Sequence, residues 1–331
     1  MGASEGVAYP SLYHFLSTWI PANERARGIA LMISGTHVGT TIALITSPII
    51  IRHASWQAIF YSFGLVGFVW VAAWHFIAYD RDEKNAGFEP VSLEEGYTSS
   101  SSSSIGTSLN SNQEVRLIMA ILRNKRTLAV CQTQAVFGLV HYVILSWLPS
   151  YFKNVYSIQT TDLSFTFVPY FSMAVSGNIG GYLADALLRY GMTLTRVRKT
   201  VTLIANLGAA VLLVAFAAAK TVHEALMYIS LSLAFMSLNS GGYASSFMDM
   251  AAPSVVGIFK ATSNTMASFA GFISIPLSTK VMDWLGGSWR GMFASLSLGY
   301  LYISFVFCAF VESERVLDEQ SGVPSKRAAV S

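Results

Sequence analysis

The sequence predicts an all-α fold, a polytopic membrane bundle of about nine transmembrane helices. Of its 331 residues, 53% are hydrophobic and 12% are charged, whereas soluble domains carry about 25% charged residues. Apolar stretches recur along the chain, and stretches of about 18 or more such residues are long enough to cross a bilayer. The net charge is only +3, without a basic patch interleaved with aromatic residues, so nucleic acid is not a predicted partner.

Nine apolar segments can be drawn, and prolines lie inside several of them. Pro48 and Pro276 fall well within their segments. Membrane bundles tolerate proline because neighbouring helices satisfy the freed backbone groups. The segments are 4–20, 28–51, 56–78, 128–152, 161–186, 200–219, 223–247, 257–282 and 288–311.

One polar stretch interrupts this pattern. Residues 79–126 begin with the charged run 80–84 and contain the serine run 99–104. Such a composition cannot bury a core, so we expect a disordered linker. It separates a first domain of three spans, residues 1–78, from a second domain of six spans, residues 127–312. A tail follows at 313–331.

The distribution of basic residues predicts the orientation. If the turn at 21–27 lies in the cytosol and the spans alternate, the linker and the tail lie in the cytosol too. Of the 21 Lys and Arg residues, 16 then lie on the cytosolic side, in agreement with the positive-inside rule. The other five lie outside: Arg52, Lys153, Lys220, Lys280 and Arg290.

Two stretches resemble a known family. The first segment reads EGVAYP from Glu5, continues through Trp19 and Pro21, and ends in ERAR at 24–27. It resembles the fourth helix of the sodium/phosphate and organic anion transporter family, a branch of the major facilitator superfamily. The stretch HYVILSWLPSYF at 141–152 is similar to the seventh helix of plant-type phosphate transporters in that branch.

The resemblance implies a fold and an activity. A major facilitator bundle has six plus six spans, so the chain looks like spans four to twelve without the first three. We therefore expect that the 331-residue chain alone gives no coupled phosphate uptake. The implied activity is secondary active transport of an anion, phosphate first, coupled to Na⁺ or H⁺. An organic anion, sugar acid or glutamate-like substrate is the alternative. The implied partners are the anion, the coupling ion and membrane lipid.

The resemblance also implies a proton-coupling residue, Glu5. A carboxylate inside a membrane segment is costly and normally faces a cavity. The alternative is an exposed residue at a helix start. His14 lies about 100° around the helix from Tyr13, the position where related transporters carry histidine, so we expect it to contact a neighbouring helix instead.

Five further residues are candidates for substrate binding. Thr36 and His37 follow the Ser-Gly pair at 34–35, and Thr36 could donate to an oxyanion or bond back to its own helix. His141 and Tyr142 could donate to a phosphate or carboxylate, or belong to an interfacial aromatic belt. Asn264, in the Ser-Asn pair of the eleventh helix, matches a substrate-contact position in sugar-acid transporters.

Charged residues near the end of the fifth segment suggest a gate. The run GGYLAD at 180–185 is followed by Arg189, and the resemblance implies that Asp185 and Arg189 make gating contacts. The alternative is that these charges only fix the topology. By the span boundaries, none of the Lys and Arg residues lies deep in a span, so an anion site would depend on hydrogen bonds and helix dipoles alone.

An enzyme is the rival class. His75 and Asp80 fit the HxxxxD pattern of membrane acyltransferases, but a single match of this kind is weak. No Gly-rich phosphate loop or metal-ligand spacing occurs. We therefore expect no catalytic residues, no cofactor and no metal, and a transporter rather than an enzyme.

Overall fold

The computed structural model describes residues 6–21, 24–77, 111–158 and 165–317, and these are almost entirely helical. Eight of the nine predicted segments each overlap one helix, and the segment 223–247 overlaps two. The helices are α1 Ala8–Trp19, α2 Arg25–His53, α3 Trp56–Ile77, α4 Ser111–Arg123, α5 Lys125–Tyr156, α6 Phe167–Arg189, α7 Leu194–Ala218, α8 Val222–Ser237, α9 Tyr243–Met250, α10 Pro253–Trp284 and α11 Trp289–Phe310.

Local signals explain several helix boundaries. The side chain of Asn124 accepts a hydrogen bond from the Arg126 N–H at the start of α5, and Ser288 caps α11 in the same way. Pro253 begins α10, where its missing N–H costs nothing. The helix α5 ends at Ser157, whose φ of 57° is left-handed.

Five of the helices are long and apolar enough to cross a membrane by length and composition. They are α2, α3, α5, α7 and α11. The helix α10, with 32 residues, carries more polar residues and packs closely against α5.

The chain divides into two compact units, residues 1–42 with 110–331, and residues 43–109. In the first unit α10 packs against α5, α11 packs against α7, and α8 packs against both α6 and α7. The short helix α1 lies against α10. The described part of the second unit contains the end of α2 and the whole of α3.

The predicted linker extends too far along the chain. Residues 111–123 form the helix α4 rather than a disordered segment, and α5 begins directly after it. Leu117 and Ile121 are buried and lie one turn apart on the same face, the arrangement of an amphipathic helix. The serine run at 99–104 lies outside the described residues.

The predicted span 223–247 is not one continuous helix. The helix α8 ends at Ser237, a 3₁₀ turn covers Leu238–Ser240, and α9 begins at Tyr243. Gly180 and Gly241 allow the backbone of α6 to lie against this break, since a Cβ on either would overlap backbone oxygen across the contact. By contrast, a Cβ at Gly35 or Gly39 would meet nothing described within 4 Å.

A buried arginine holds the break together. Arg198 on α7 is only 2% exposed. Its Nε donates to Asp249 Oδ2 at 2.7 Å, and its Nη1 donates to the Gly241 carbonyl at 2.8 Å. The guanidinium therefore pairs with a carboxylate on α9 and satisfies a carbonyl that the interrupted helix leaves free.

The close contact at the break predicts a specific sensitivity. Gly241→Ala should lower the free energy of unfolding by about 1–3 kcal/mol, the usual cost of forcing extra atoms into a packed site. Thermal unfolding in detergent measures this loss. The matched control is Gly35→Ala, which has open space and should leave the Tm equal or higher, because alanine favours a helix interior. Equal Tm values for the two variants would contradict the proposed contact.

Candidate functional site

The first unit contains an open cavity of about 410 Å³. It is lined by residues from α1, α2, α5, α6, α8, the helix break, α9 and α10. All five residues predicted for substrate binding reach this cavity: Thr36, His37, His141, Tyr142 and Asn264. Glu5, predicted to carry the coupling proton, lies outside the described residues.

The cavity has an aromatic wall with hydroxyl groups. The rings of Tyr9 and Tyr13 come from α1, Tyr170 comes from α6, and Tyr243 comes from α9. The Thr36 hydroxyl lies 3.4 Å from the Tyr9 hydroxyl. Thr40, one turn later, instead donates to the Thr36 carbonyl of its own helix.

A lysine lies where the sequence predicts no cation. Lys260 is 5% exposed and lines the cavity, so the expectation that no basic residue lies deep in a span is wrong. Its Nζ donates to Gln134 Oε1 at 2.7 Å. It also lies 4.3 Å from the ring centroid of Phe247 and 4.5 Å from that of Tyr13. The ring faces stabilise the cation.

This ammonium group has no carboxylate partner among the residues that the structure describes, since no Asp or Glu oxygen there lies within 4.0 Å of it. A buried charge without a counterion is unfavourable. The aromatic faces and the amide offset only part of that cost, so the site is suited to an anion.

Gln134 is oriented by two donors. Its Oε1 accepts from Lys260 and also from the Ser263 hydroxyl at 3.1 Å. A lysine ammonium can only donate, so the amide oxygen must be the atom that faces it. The NH₂ group of Gln134 is consequently the end available to a bound anion.

The helices α5 and α10 run parallel along the cavity. Gln134 contacts Lys260, Gly138 lies beside Ala267, and Trp147 donates to Ser278 Oγ at 2.9 Å. Seven residues separate Gln134 from His141, which is about two turns or 10 Å along the helix. The lysine and the imidazole therefore occupy different levels of the same cavity.

His141 and Tyr142 both face the cavity from α5. The Nδ1 of His141 is buried and has no hydrogen-bond partner among the described residues. The ring centroid of Tyr170 lies 6.4 Å from that of His141, with the two rings nearly perpendicular. Tyr142 contacts Gly271 of α10 and lines the cavity. Asn264 lies one turn beyond Lys260 on α10 and faces the same space.

The predicted gate residues, Asp185 and Arg189, do not form an ion pair with each other. Asp185 accepts from Arg27 Nε at 2.8 Å, and Arg27 Nη2 lies 3.0 Å from Glu24 Oε1. Within the described ranges, Arg189 forms no ion pair. The contact to Asp185 therefore joins the start of α2 to the end of α6, and Arg27 is a partner that the sequence analysis did not single out.

His14 contacts a neighbouring helix, as predicted. Its Nδ1 lies 2.8 Å from the Pro253 carbonyl at the start of α10. The sequence analysis did not identify three parts of this site, namely Lys260, Gln134 and the tyrosines of α1. The sequence analysis began this span at 257, whereas α10 begins at Pro253, which places Lys260 two turns inside the helix.

Removing the charge of Lys260 and removing the charge of Arg198 should have opposite effects on the stability of the protein. Lys260→Met keeps a long apolar side chain and removes an uncompensated charge, so we expect an equal or higher Tm in detergent. Arg198→Met leaves Asp249 buried without its partner, and should lower the free energy of unfolding by about 3–5 kcal/mol. A strong loss of stability in Lys260→Met would show that the lysine is a structural residue instead.

Comparison with known proteins identifies relatives of the chain in plants. It is 30% identical over 319 residues to the "Probable anion transporter 1, chloroplastic" of Oryza sativa subsp. japonica, covering 96% of this chain and 58% of the relative. It is 30% identical over 321 residues to the "Ascorbate transporter, chloroplastic" of Arabidopsis thaliana, covering 96% and 57%. The "Sodium-dependent phosphate transport protein 1, chloroplastic" of Arabidopsis thaliana is 29% identical over 323 residues, covering 96% and 60%.

The chain thus spans less than two thirds of the length of these relatives. The profile of the Major Facilitator Superfamily matches residues 1–275. These relatives are named as transporters and not as acyltransferases, and Asp80 of the HxxxxD pattern lies outside the described residues. With its helical bundle and apolar helices, the chain is an integral, multi-pass membrane protein and belongs to the Major Facilitator Superfamily.

Proposed function

We propose that the chain provides the substrate path of a secondary active transporter for an inorganic or organic anion, with phosphate as the first candidate and Na⁺ or H⁺ as the coupling ion. The observation that carries the proposal is the buried ammonium group of Lys260. It faces a cavity, and no carboxylate of the described residues neutralises it. An anion in the cavity supplies the missing countercharge.

The neighbouring groups suit an oxyanion. The NH₂ group of Gln134 and the amide of Asn264 lie beside Lys260 in the cavity lining. Imidazole and phenol groups of His141 and Tyr142 lie further along. Charged and neutral donors that converge on one space provide the hydrogen bonds that a phosphate or carboxylate loses when it leaves water.

An organic anion is the second candidate, and a specific observation favours it. The cavity of about 410 Å³ has an aromatic lining, and its size lies in the range of about 300–1,000 Å³ that is typical of sites for small organic ligands. One relative is named an ascorbate transporter and another a sodium-dependent phosphate transport protein. Both candidates carry an anionic oxygen that could accept a hydrogen bond from Lys260.

Binding to the purified chain in lipid nanodiscs tests the proposal without a transport assay. Radiolabelled phosphate and ascorbate are each titrated by scintillation proximity. Lys260→Gln should weaken binding about 10- to 100-fold, because a hydrogen bond to a charged group contributes about 1.5–3 kcal/mol.

Lys280→Gln is the matched control, since Lys280 lies on the same helix and is exposed. It should bind the anion like the unchanged chain. Ascorbate binding without phosphate binding would select the organic anion. Binding of neither, or equal binding by Lys260→Gln, would overturn the role proposed for the cavity.

We propose further that Glu5 takes part in coupling and that the Arg27–Asp185 pair closes the cytosolic side. In the sequence Glu5 lies three residues before the start of α1, which carries Tyr9 and Tyr13 to the cavity. The ion pair joins α2 to α6, which the predicted domain organisation places in different halves of the transporter. Separation of those halves is how such transporters expose their site.

The gate predicts a movement that can be measured. Leu31 and Tyr182 flank the ion pair and are exposed, so both can carry spin labels after replacement of Cys131 and Cys308 by alanine. Asp185→Asn should shift the label-to-label distance distribution to longer values, because the amide no longer attracts Arg27. Asp283→Asn, at an exposed carboxylate of α10, is the control. Identical distributions for both variants would argue against a gate here.

A further inference from the structure

The helix α4 has an apolar face that is only partly covered by protein. It packs against α5 and α10, and two of its side chains, Leu117 and Ile121, are buried. Three further apolar side chains are 59%, 44% and 36% exposed, respectively: Val115, Met119 and Leu122. Side chains three and four positions apart are neighbours on a helix, so these three form one continuous apolar strip.

The apolar strip continues the buried face of the same helix. At about 100° per residue, the strip covers about 60° of the helix. The half-buried Ile118 joins it to the face of Leu117 and Ile121. Together they form an apolar arc of about 200°, which also contains Glu114 in the first turn. One half of this arc packs on protein, and the other half is exposed, as in a helix that lies in a membrane interface beside a bundle.

The connection to α5 holds α4 at the end of a membrane span. Only Asn124 separates the two helices, and its extended backbone turns the chain. The hydroxyl of Thr127, in the first turn of α5, donates to the Ile121 carbonyl at 2.6 Å, which ties α5 to the last turn of α4. The helix α5 is long and apolar enough to cross a membrane. Because α4 is fixed to the start of this span, it lies at the level of the bilayer surface.

Basic side chains border the apolar strip. Arg116 and Arg123 are seven positions apart and therefore lie nearly on one line of the helix, about 40° from the edge of the strip. Both are exposed, as is Lys125 at the start of α5. In the described part of the chain these three form no ion pair, whereas Arg126 pairs with Glu312. Their positive charge is therefore available to a partner outside the chain.

An anionic lipid surface matches both features of α4. The strip would enter the boundary between head groups and acyl chains, and the arginines beside it would reach the phosphate groups. The predicted orientation places α4 on the cytosolic side, where the membrane surface is negative. A soluble protein fits less well, because it would have to approach the bilayer to reach a strip beside a membrane span.

We propose that α4 binds anionic phospholipids, with the apolar strip in the bilayer surface and Arg116 and Arg123 on the head-group phosphates. The planar guanidinium group presents paired donors that match phosphate oxygens. Among the described residues that line the anion cavity, none belongs to α4. The lipid site is therefore separate from the cavity, and the inference does not depend on which anion the chain transports.

Quenching by brominated lipids measures the contact. Met119→Cys is labelled with bimane in the chain with Cys131 and Cys308 replaced by alanine, in nanodiscs of phosphatidylcholine and phosphatidylglycerol in equal amounts. Bromine is placed on the acyl chains of one lipid at a time. Brominated phosphatidylglycerol should quench the label at least about twice as strongly as brominated phosphatidylcholine, because each basic residue near the surface favours anionic lipid by about fivefold.

Two double variants separate the role of the arginines from that of the strip. Arg116→Gln/Arg123→Gln should bring the quenching ratio to about one, because the charges that select anionic lipid are gone. Quenching by both lipids should persist, since the strip still enters the bilayer. Lys280→Gln/Arg290→Gln is the matched control, which removes two exposed charges from α10 and α11. It should keep the ratio of the unchanged labelled chain.

Three results would overturn the proposal. Equal quenching by the two brominated lipids in the unchanged labelled chain would show apolar contact without selection of anionic head groups. A ratio that the arginine substitutions leave unaltered would assign the selection to other residues. Quenching by neither lipid would show that protein covers the strip, either a second copy or residues 79–110 or 318–331 of the same chain.

Discussion

The arrangement around Lys260 depends on how a membrane protein stabilises a buried cation without a carboxylate beside it. Rings from α1 and α9 face the ammonium, and Gln134 from α5 accepts its hydrogen bond. Three elements distant in sequence therefore meet at one charge. If any of them moved away, the lysine would lose part of its stabilisation. The charge thus keeps these elements together and leaves one side open to the cavity.

The interrupted helix between α8 and α9 builds another wall of the same cavity. Because the chain leaves the helix at Leu238–Ser240, Asn239 and Ser240 reach the lining. The break is stabilised from two directions, by Arg198 bonding to the Gly241 carbonyl and by the close backbone contact with Gly180. Irregular backbone at membrane depth is tolerated where it is buried in protein or lines a cavity, and here it does both.

Most of the helical architecture could be predicted from the sequence, because long apolar stretches in a chain with few charges have few alternatives to helices. The helix α4 was missed because its buried face rests on Leu117 and Ile121 in an otherwise polar stretch. The break after Ser237 was missed since the pair Gly241-Gly242 in an apolar run is equally compatible with a continuous helix.

The site was predictable only in part. Polar residues in apolar segments are conspicuous because placing them in a membrane costs free energy. The residues found in this way are Thr36, His37, His141, Tyr142 and Asn264. Lys260 did not stand out, because its place inside or outside a span depended on a boundary a few residues away. Asp185 pairs with Arg27 and not with Arg189. The spacing of residues along the sequence could not predict this, since the contact joins positions more than 150 residues apart.

The contact between Arg27 and Asp185 has a consequence through its third member. Arg27 also pairs with Glu24, which lies just before α2. If α2 and α6 part at this end, Asp185 loses its partner but the guanidinium does not become isolated, because Glu24 travels with it. Separation would therefore break one of the two ion pairs of Arg27, leaving Asp185 to water while the guanidinium stays paired with Glu24. The electrostatic cost of parting α2 from α6 at this point therefore falls on Asp185 and not on Arg27.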